Sequence, residues 1–137
     1  MIKIMWLLRR KPEITFAQFQ EHYERSHSQL GNIHFGHLIK QYRRNYNDRR
    51  VSETTPPALA ALMAQKEWDY DCITEWELED EAAMAEIVRL LADPVIGKAF
   101  YDDEEHFLDR SSVRYLRCDT HATGHADTWR RRVGGIK

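Results

Sequence analysis

Two cysteines, four prolines and six glycines are few for a chain of 137 residues, and no apolar run approaches the roughly 20 residues that cross a bilayer. Cys72 and Cys118 cannot make a metal knuckle between them, and one bridge is not the disulfide framework of a small secreted domain. Both sit in alternating apolar runs, where a free cysteine packs as a small hydrophobe. The scarcity of glycine and proline excludes collagenous and low-complexity sequence. With 42% hydrophobic and 31% charged residues, the balance is that of a globular domain rather than a disordered one. Charge of one sign is lacking too. Twenty Lys and Arg against 22 Asp and Glu leave a net charge of −2, so no global field attracts nucleic acid or an anionic membrane. There is no glycine-rich phosphate loop, serine nucleophile elbow or redox CxxC. Met1 to Leu8 is apolar, but Arg9, Arg10 and Lys11 follow it instead of preceding it, the reverse of a secretory leader. A cytoplasmic protein is expected.

What is present is a regular alternation of strand and helix signals. Ile2, Ile4, Trp6 and Leu8 fall on one face of a first strand, with Met5 and Leu7 on the other. Thr15 opens a helix, with Gln18 completing a capping box, and Phe16, Phe19, Tyr23, His27 and Leu30 form its inward stripe up to a stop at Gly31. After a short stretch through Ile33, Phe35, Leu38 and Ile39, a second strand runs from Lys40 to Tyr46. Tyr42, Arg44 and Tyr46 share one of its faces. Residues 47–55 read as a loop, and Pro56-Pro57 starts a small helix through Leu59, Leu62 and Met63. A third strand covers Tyr70 to Leu78. Asp80 caps a helix with Ala83, Met84, Ile87, Val88 and Leu91 inward. Asp93-Pro94 restarts helical structure with Val95, Ile96, Ala99 and Phe100 inward, and a last strand spans Ser112 to Cys118.

Strand, helix, strand, strand, helix, strand is the ferredoxin-like order. It predicts an α+β domain over residues 1–118, with a four-stranded antiparallel sheet and two main helices on one face. Residues 119–137 read as a polar tail, with Trp129 beside the basic cluster Arg130 to Arg132. Two helices cover one side of the sheet. Apolar residues on both sides of strands one and three therefore predict a homodimer in which two sheets pack into a shared barrel.

The residues with chemistry are few. His27 lies on the apolar stripe of the first helix, where a polar ring needs a partner. It is either a proton-transfer group or a core histidine bonded to a backbone carbonyl. Tyr42 and Tyr46 share a strand face with Arg44, and Tyr23 lies one turn from His27. These phenols are either substrate contacts or core and interface aromatics, and Arg44 reads as a surface charge. Asp71 is a candidate to orient a histidine, or else to pair with a basic residue at the sheet edge. Asp103 and His106 lie three apart on one helical face and form a possible acid–base pair within an otherwise solvated acidic run. Trp76 and Trp6 read as cavity walls or as core. Seven histidines raise the question of a metal, but His34-x-x-His37 and His121-x-x-x-His125 lack further ligands at a fixed offset, so no metal site is expected.

Together these segments resemble the EthD-like family of dimeric α+β barrel proteins. The likeness runs through Lys3 to Pro12, the helix motif Thr15-Phe-Ala-Gln-Phe-Gln-Glu-His-Tyr-Glu-Arg-Ser-His27, Tyr42, Tyr70-Asp-Cys-Ile-Thr-Glu-Trp76 and Asp103-Glu-Glu-His-Phe-Leu-Asp109. It leaves out residues 47–67 and the tail. The resemblance implies small cofactor-free proteins, among them decarboxylases and dehydratases of aromatic polyketide pathways and lactone isomerases. His27 and Tyr42 fall where methylmuconolactone methylisomerase has a histidine and a tyrosine in its pocket. Trp76 stands where that enzyme has a cysteine, which departs from the same lactone reaction. The expectation is a cofactor-independent lyase acting on a cyclic or aromatic oxygenated acid. His27 would be its acid–base, Tyr42 the partner at a substrate oxygen and Asp71 the orienter, with Tyr23, Tyr46, Trp76, Asp103 and His106 as further substrate contacts. The rival expectations are a small-molecule binder without catalysis and a lactone isomerase.

Overall fold

The computed structural model describes residues 1–50, 52–65 and 69–124. His125, Trp129 and the Arg130 to Arg132 cluster lie outside the described residues. Strand β1 (Ile2–Leu8) leads to helix α1 (Phe16–His22), which passes through a π-helical turn (Tyr23–His27) into α2 (Ser28–Phe35). Strand β2 (Ile39–Tyr46), the short α3 (Pro57–Met63), strand β3 (Cys72–Leu78), α4 (Glu81–Ala92), α5 (Pro94–Glu104), a 3-10 turn (Arg110–Ser112) and β4 (Arg114–Cys118) follow. The four strands form one antiparallel sheet in the order β2-β3-β1-β4, the ferredoxin-like arrangement.

The capping signals act where the sequence places them. The Thr15 hydroxyl accepts from the Gln18 N–H at 3.1 Å, and the Gln18 side chain accepts from the Thr15 N–H at 2.9 Å. Asp80 caps α4 through the Ala83 N–H, and Asp93 caps α5 through the N–H groups of Val95 and Ile96.

The sheet turns Ile2, Ile4, Trp6 and Leu8 toward the helices, paired across β3 with Leu78, Trp76, Thr74 and Cys72. A register shift between Ile39 and Gln41 then brings Tyr42, Arg44 and Tyr46 opposite Trp76, Thr74 and Cys72 on that same face. The other face carries Met5, Leu7, Ile73 and Leu116, with Lys3 between Glu75 and Glu77. Its charge comes from Glu75 and Glu77, which alternation along β3 places on the same face as Ile73.

Three local expectations are corrected. Gly31 does not stop the first helix: the chain continues to Phe35, and Gly31 is buried at a close approach. A Cβ there would meet Tyr42 Cε2 at 3.1 Å, so its small size admits the tyrosine ring. Val88 and Val95 point outward, 53% and 79% exposed, because α4 and α5 reach the core along narrower stripes through Ile87 and Phe100. Arg44 is not a free surface charge. Its Nε and Nη2 donate to both oxygens of Glu24 at 2.8 and 2.6 Å.

Asp71 is 3% exposed and among the described residues hydrogen-bonds to no histidine. One of its oxygens accepts from the Arg10 backbone N–H at 2.7 Å. The other accepts from the guanidinium groups of Arg10 and Arg49 at 2.7 and 2.9 Å. It therefore anchors the chain leaving β1 to the start of β3. Truncation would leave a backbone donor and two cations without their acceptor. Asp71→Ala is expected to cost about 2–4 kcal/mol in urea unfolding. A loss under about 0.5 kcal/mol, the scale of an ordinary surface change, would contradict this anchoring role.

Candidate active site

Between the helices and the sheet lies a cavity of about 280 Å3. Its floor is Trp6, Leu8, Tyr42 and Trp76 from three strands. Its roof is Tyr23 and His27 from the π turn, Gly31 and Phe35 from α2, and Phe100 and Glu104 from α5. Trp6 packs edge-on against Trp76 at 5.4 Å and against Tyr115 at 4.9 Å, so aromatic rings make most of one wall. The indole N–H groups of Trp6 and Trp76 are buried and find no hydrogen-bond acceptor among the described residues.

The π turn determines which polar groups reach this space. Such turns are rare and insert one residue into the helical repeat, which rotates everything after them. Tyr23 and His27 lie at its two ends and both line the cavity. Leu30, the next member of the expected stripe, packs beside the main core instead.

His27 is held from behind. Its Nδ1 lies 2.8 Å from Asp103 Oδ2, with 14% and 12% of the two side chains exposed. Asp103 Oδ1 also accepts from Ser26 Oγ at 2.5 Å and lies 3.1 Å from His22 Nε2. Burial pushes the Asp103 carboxyl up, but hydrogen bonds from His27 and Ser26 and the charges of His27 and His22 outweigh it and hold the group at about 2. An ionised carboxylate at Nδ1 favours the tautomer that carries its proton there, leaving the Nε2 lone pair free. Among the described residues nothing bonds to that Nε2.

Tyr42 lines the same cavity as His27, from strand β2. Its hydroxyl donates to the Tyr23 oxygen at 3.2 Å, and Tyr23 shares a 2.7 Å hydrogen bond with Thr74 Oγ1. Burial raises the Tyr42 phenol to about 12 and Tyr23 well above its ordinary value, so both stay neutral hydroxyls at physiological pH.

The sequence-derived candidates thus divide. His27, Tyr42, Tyr23 and Trp76 meet at one cavity. Asp103 reaches it only through His27, in the orienting place expected of Asp71. His106 lies outside, exposed and stacked on His22 at 5.4 Å, so the expected Asp103–His106 pair does not form. Tyr46 is also outside, donating to Glu24 at 2.5 Å. Sequence reasoning missed His22 and Ser26 as partners of Asp103, and Glu104 and Arg110 as lining residues. For Glu104 the signal was available: it lies four residues from Phe100 and from Leu108, within an apolar stripe. Among the described residues no cluster of three or more His, Cys, Asp or Glu is placed to hold a metal, and no helix is long and apolar enough to cross a membrane.

The depressed Asp103 value has a signed consequence for stability. Its contribution is fully present above the ordinary carboxylate value of 3.8 and is lost as pH falls through about 2. Asp103→Asn is expected to lose about 1–3 kcal/mol at neutral pH, with the gap to wild type closing near pH 2. Paired denaturation curves at the two pH values test this. A gap that stays constant would show that the carboxylate charge contributes nothing.

A family model described as the EthD domain matches residues 11–111. No curated protein matches the chain. Among solved structures, At3g17210 from Arabidopsis thaliana is 17% identical with a TM-score of 0.55, over 90% of this chain and 99% of that one. An EthD family protein from Bacillus halodurans is 16% identical with a TM-score of 0.54, over 88% and 100%. HapK from Hahella chejuensis is 12% identical with a TM-score of 0.52, over 92% and 98%. At these identities the structural likeness speaks to the fold, whereas the family match spans most of the chain. The protein belongs to the EthD domain family.

Proposed function

We propose that the protein is a cofactor-independent lyase, of the decarboxylase or dehydratase type, acting on a cyclic or aromatic oxygenated acid held in the cavity. The observation that carries this reading is His27. It is the imidazole of an otherwise largely apolar cavity, with a carboxylate behind Nδ1 and an unpartnered Nε2. That geometry suits a group that takes a proton from a bound molecule and returns it, and exclusion of water strengthens each polar contact it makes. The aromatic walls favour a flat ring. Tyr42, neutral and lining the same cavity, supplies a hydroxyl for a substrate oxygen, and Asp103 orients the imidazole. Tyr23 and Trp76 shape the space around the ring.

Aromatic β-keto and β-hydroxy acids, followed by mass spectrometry for loss of carbon dioxide or water, are the direct test. Turnover by wild type should fall about 10²–10⁴-fold in His27→Gln. Tight binding of these acids without any turnover would identify a binding protein and overturn the lyase reading.

We also infer that the working unit is a homodimer. Ile73 and Leu116 are 40% and 49% exposed on the sheet face that the helices leave bare, beside Met5 and Leu7. The cross-strand charges of Lys3, Arg43, Glu75 and Glu77 surround them. A second copy of the face covers this patch without a new surface. Light scattering should report twice the chain mass, and Leu116→Glu should shift it to the monomer. A monodisperse folded monomer of the wild type would refute the assembly.

A further inference from the structure

Phe100, Glu104 and Leu108 follow one another at four-residue intervals along α5 and the turn after it, and all three line the cavity. A carboxyl therefore stands between two apolar residues on a wall that is otherwise built of rings and aliphatic groups. Among the described residues nothing hydrogen-bonds or ion-pairs with the Glu104 side chain. Arg110, the cation that shares the lining, is engaged elsewhere: it pairs with Glu105 and lies 3.5 Å over the ring of Tyr101. The titratable and charged groups that face Glu104 are His27 from the π turn, Arg110 from the 3-10 turn and Asp103 from its own helix. Burial raises its carboxyl above the ordinary value, against the lowering effect of His27 and Arg110.

A carboxyl in such a place interacts differently with charged and uncharged ligands. An uncharged hydroxyl hydrogen-bonds to it in either protonation state. A carboxylate brought against it makes two acids in contact in an apolar space, which cannot both ionise and so share one proton. Among the described residues the one permanent cation of the lining, Arg110, is already paired with Glu105, which leaves His27 as the rival holder of a proton.

Resting on the reading of the cavity as a site for an oxygenated aromatic acid, we propose that Glu104 makes binding of that acid proton-linked. The carboxylate enters together with one proton, held between it and Glu104. An uncharged phenol of the same shape binds without this uptake. Glu104 is then a specificity-determining contact that sets the charge state of the bound ligand, distinct from the acid–base work of His27.

Naphthoate and naphthol form a matched pair of probes, and calorimetry in buffers of different ionisation enthalpy counts the protons bound with each. Wild type should take up about one proton with naphthoate and lose about tenfold in naphthoate affinity per pH unit above the Glu104 value. Naphthol should show neither effect. Glu104→Gln, nearly isosteric and uncharged, should bind both probes without proton uptake, and its retained naphthol binding would show that the cavity is intact. An infrared difference spectrum of wild type against Glu104→Gln with naphthoate bound should show the carbonyl band of a protonated carboxyl. Unchanged proton uptake in Glu104→Gln would assign the proton to His27 and overturn the proposal. So would naphthoate binding to wild type with no uptake, or naphthol binding with naphthoate excluded at every pH. If neither probe binds, the aromatic-ligand reading itself fails and takes this inference with it.

Discussion

Asp103 accepts hydrogen bonds from one helical segment while belonging to another, and the site depends on that junction. Its two oxygens join α5 to the π turn through Ser26 and His27, and to the end of α1 through His22. Without such a tie, His27 would be a polar ring among Phe100, Phe107 and Tyr23, which lie 5.0 to 5.7 Å away and offer it no strong acceptor. With it, the imidazole is satisfied on one side and available on the other. The low carboxylate value is the thermodynamic trace of the same contact.

The sheet supplies the complementary half. The irregularity after Ile39 places Tyr42 on the helix side, and Gly31 leaves room for its ring. Glu24 fastens the edge strand to the π turn by accepting from Arg44 and Tyr46. Asp71 does comparable work at the far end of the β1–β3 pair. Two candidate residues of the sequence, Tyr46 and Asp71, therefore serve to position the strands whose other residues form the cavity floor.

Much of the architecture was legible because it is written in local patterns. Period-two alternation in Ile2 to Leu8, the capping box of Thr15 and Gln18, and the Asp-Pro start at Asp93 each report on a few neighbouring residues. The element order then leaves little choice of fold. His27 stood out as a candidate because a polar group on an apolar stripe is conspicuous, whereas Tyr42 stood out through the family resemblance. The identity of the carboxylate behind His27 was not, since Asp71 and Asp103 are both acidic residues beside apolar runs and only tertiary packing separates them. The π turn was equally hidden: Tyr23 and His27 at a spacing of four look the same in an α-helix. Gly31 reads as a helix stop in sequence because the bulk of Tyr42, eleven residues away, is invisible there. Val88 and Val95 show the limit of periodicity, which marks a face as apolar but does not fix how far burial extends around the helix.

The central claim is that Asp103 fixes the His27 tautomer and leaves Nε2 facing the cavity. Nitrogen-15 correlation spectra of the histidine rings measure this directly, with assignments made by comparing wild type with His27→Gln and Asp103→Asn. In its neutral form His27 should carry its proton on Nδ1, and added naphthoate should perturb the Nε2 resonance while leaving that of His106 in place. Asp103→Asn should abolish the single-tautomer signature. A neutral His27 protonated on Nε2 in wild type, or an Nε2 resonance indifferent to a ligand shown to bind, would contradict the proposed site.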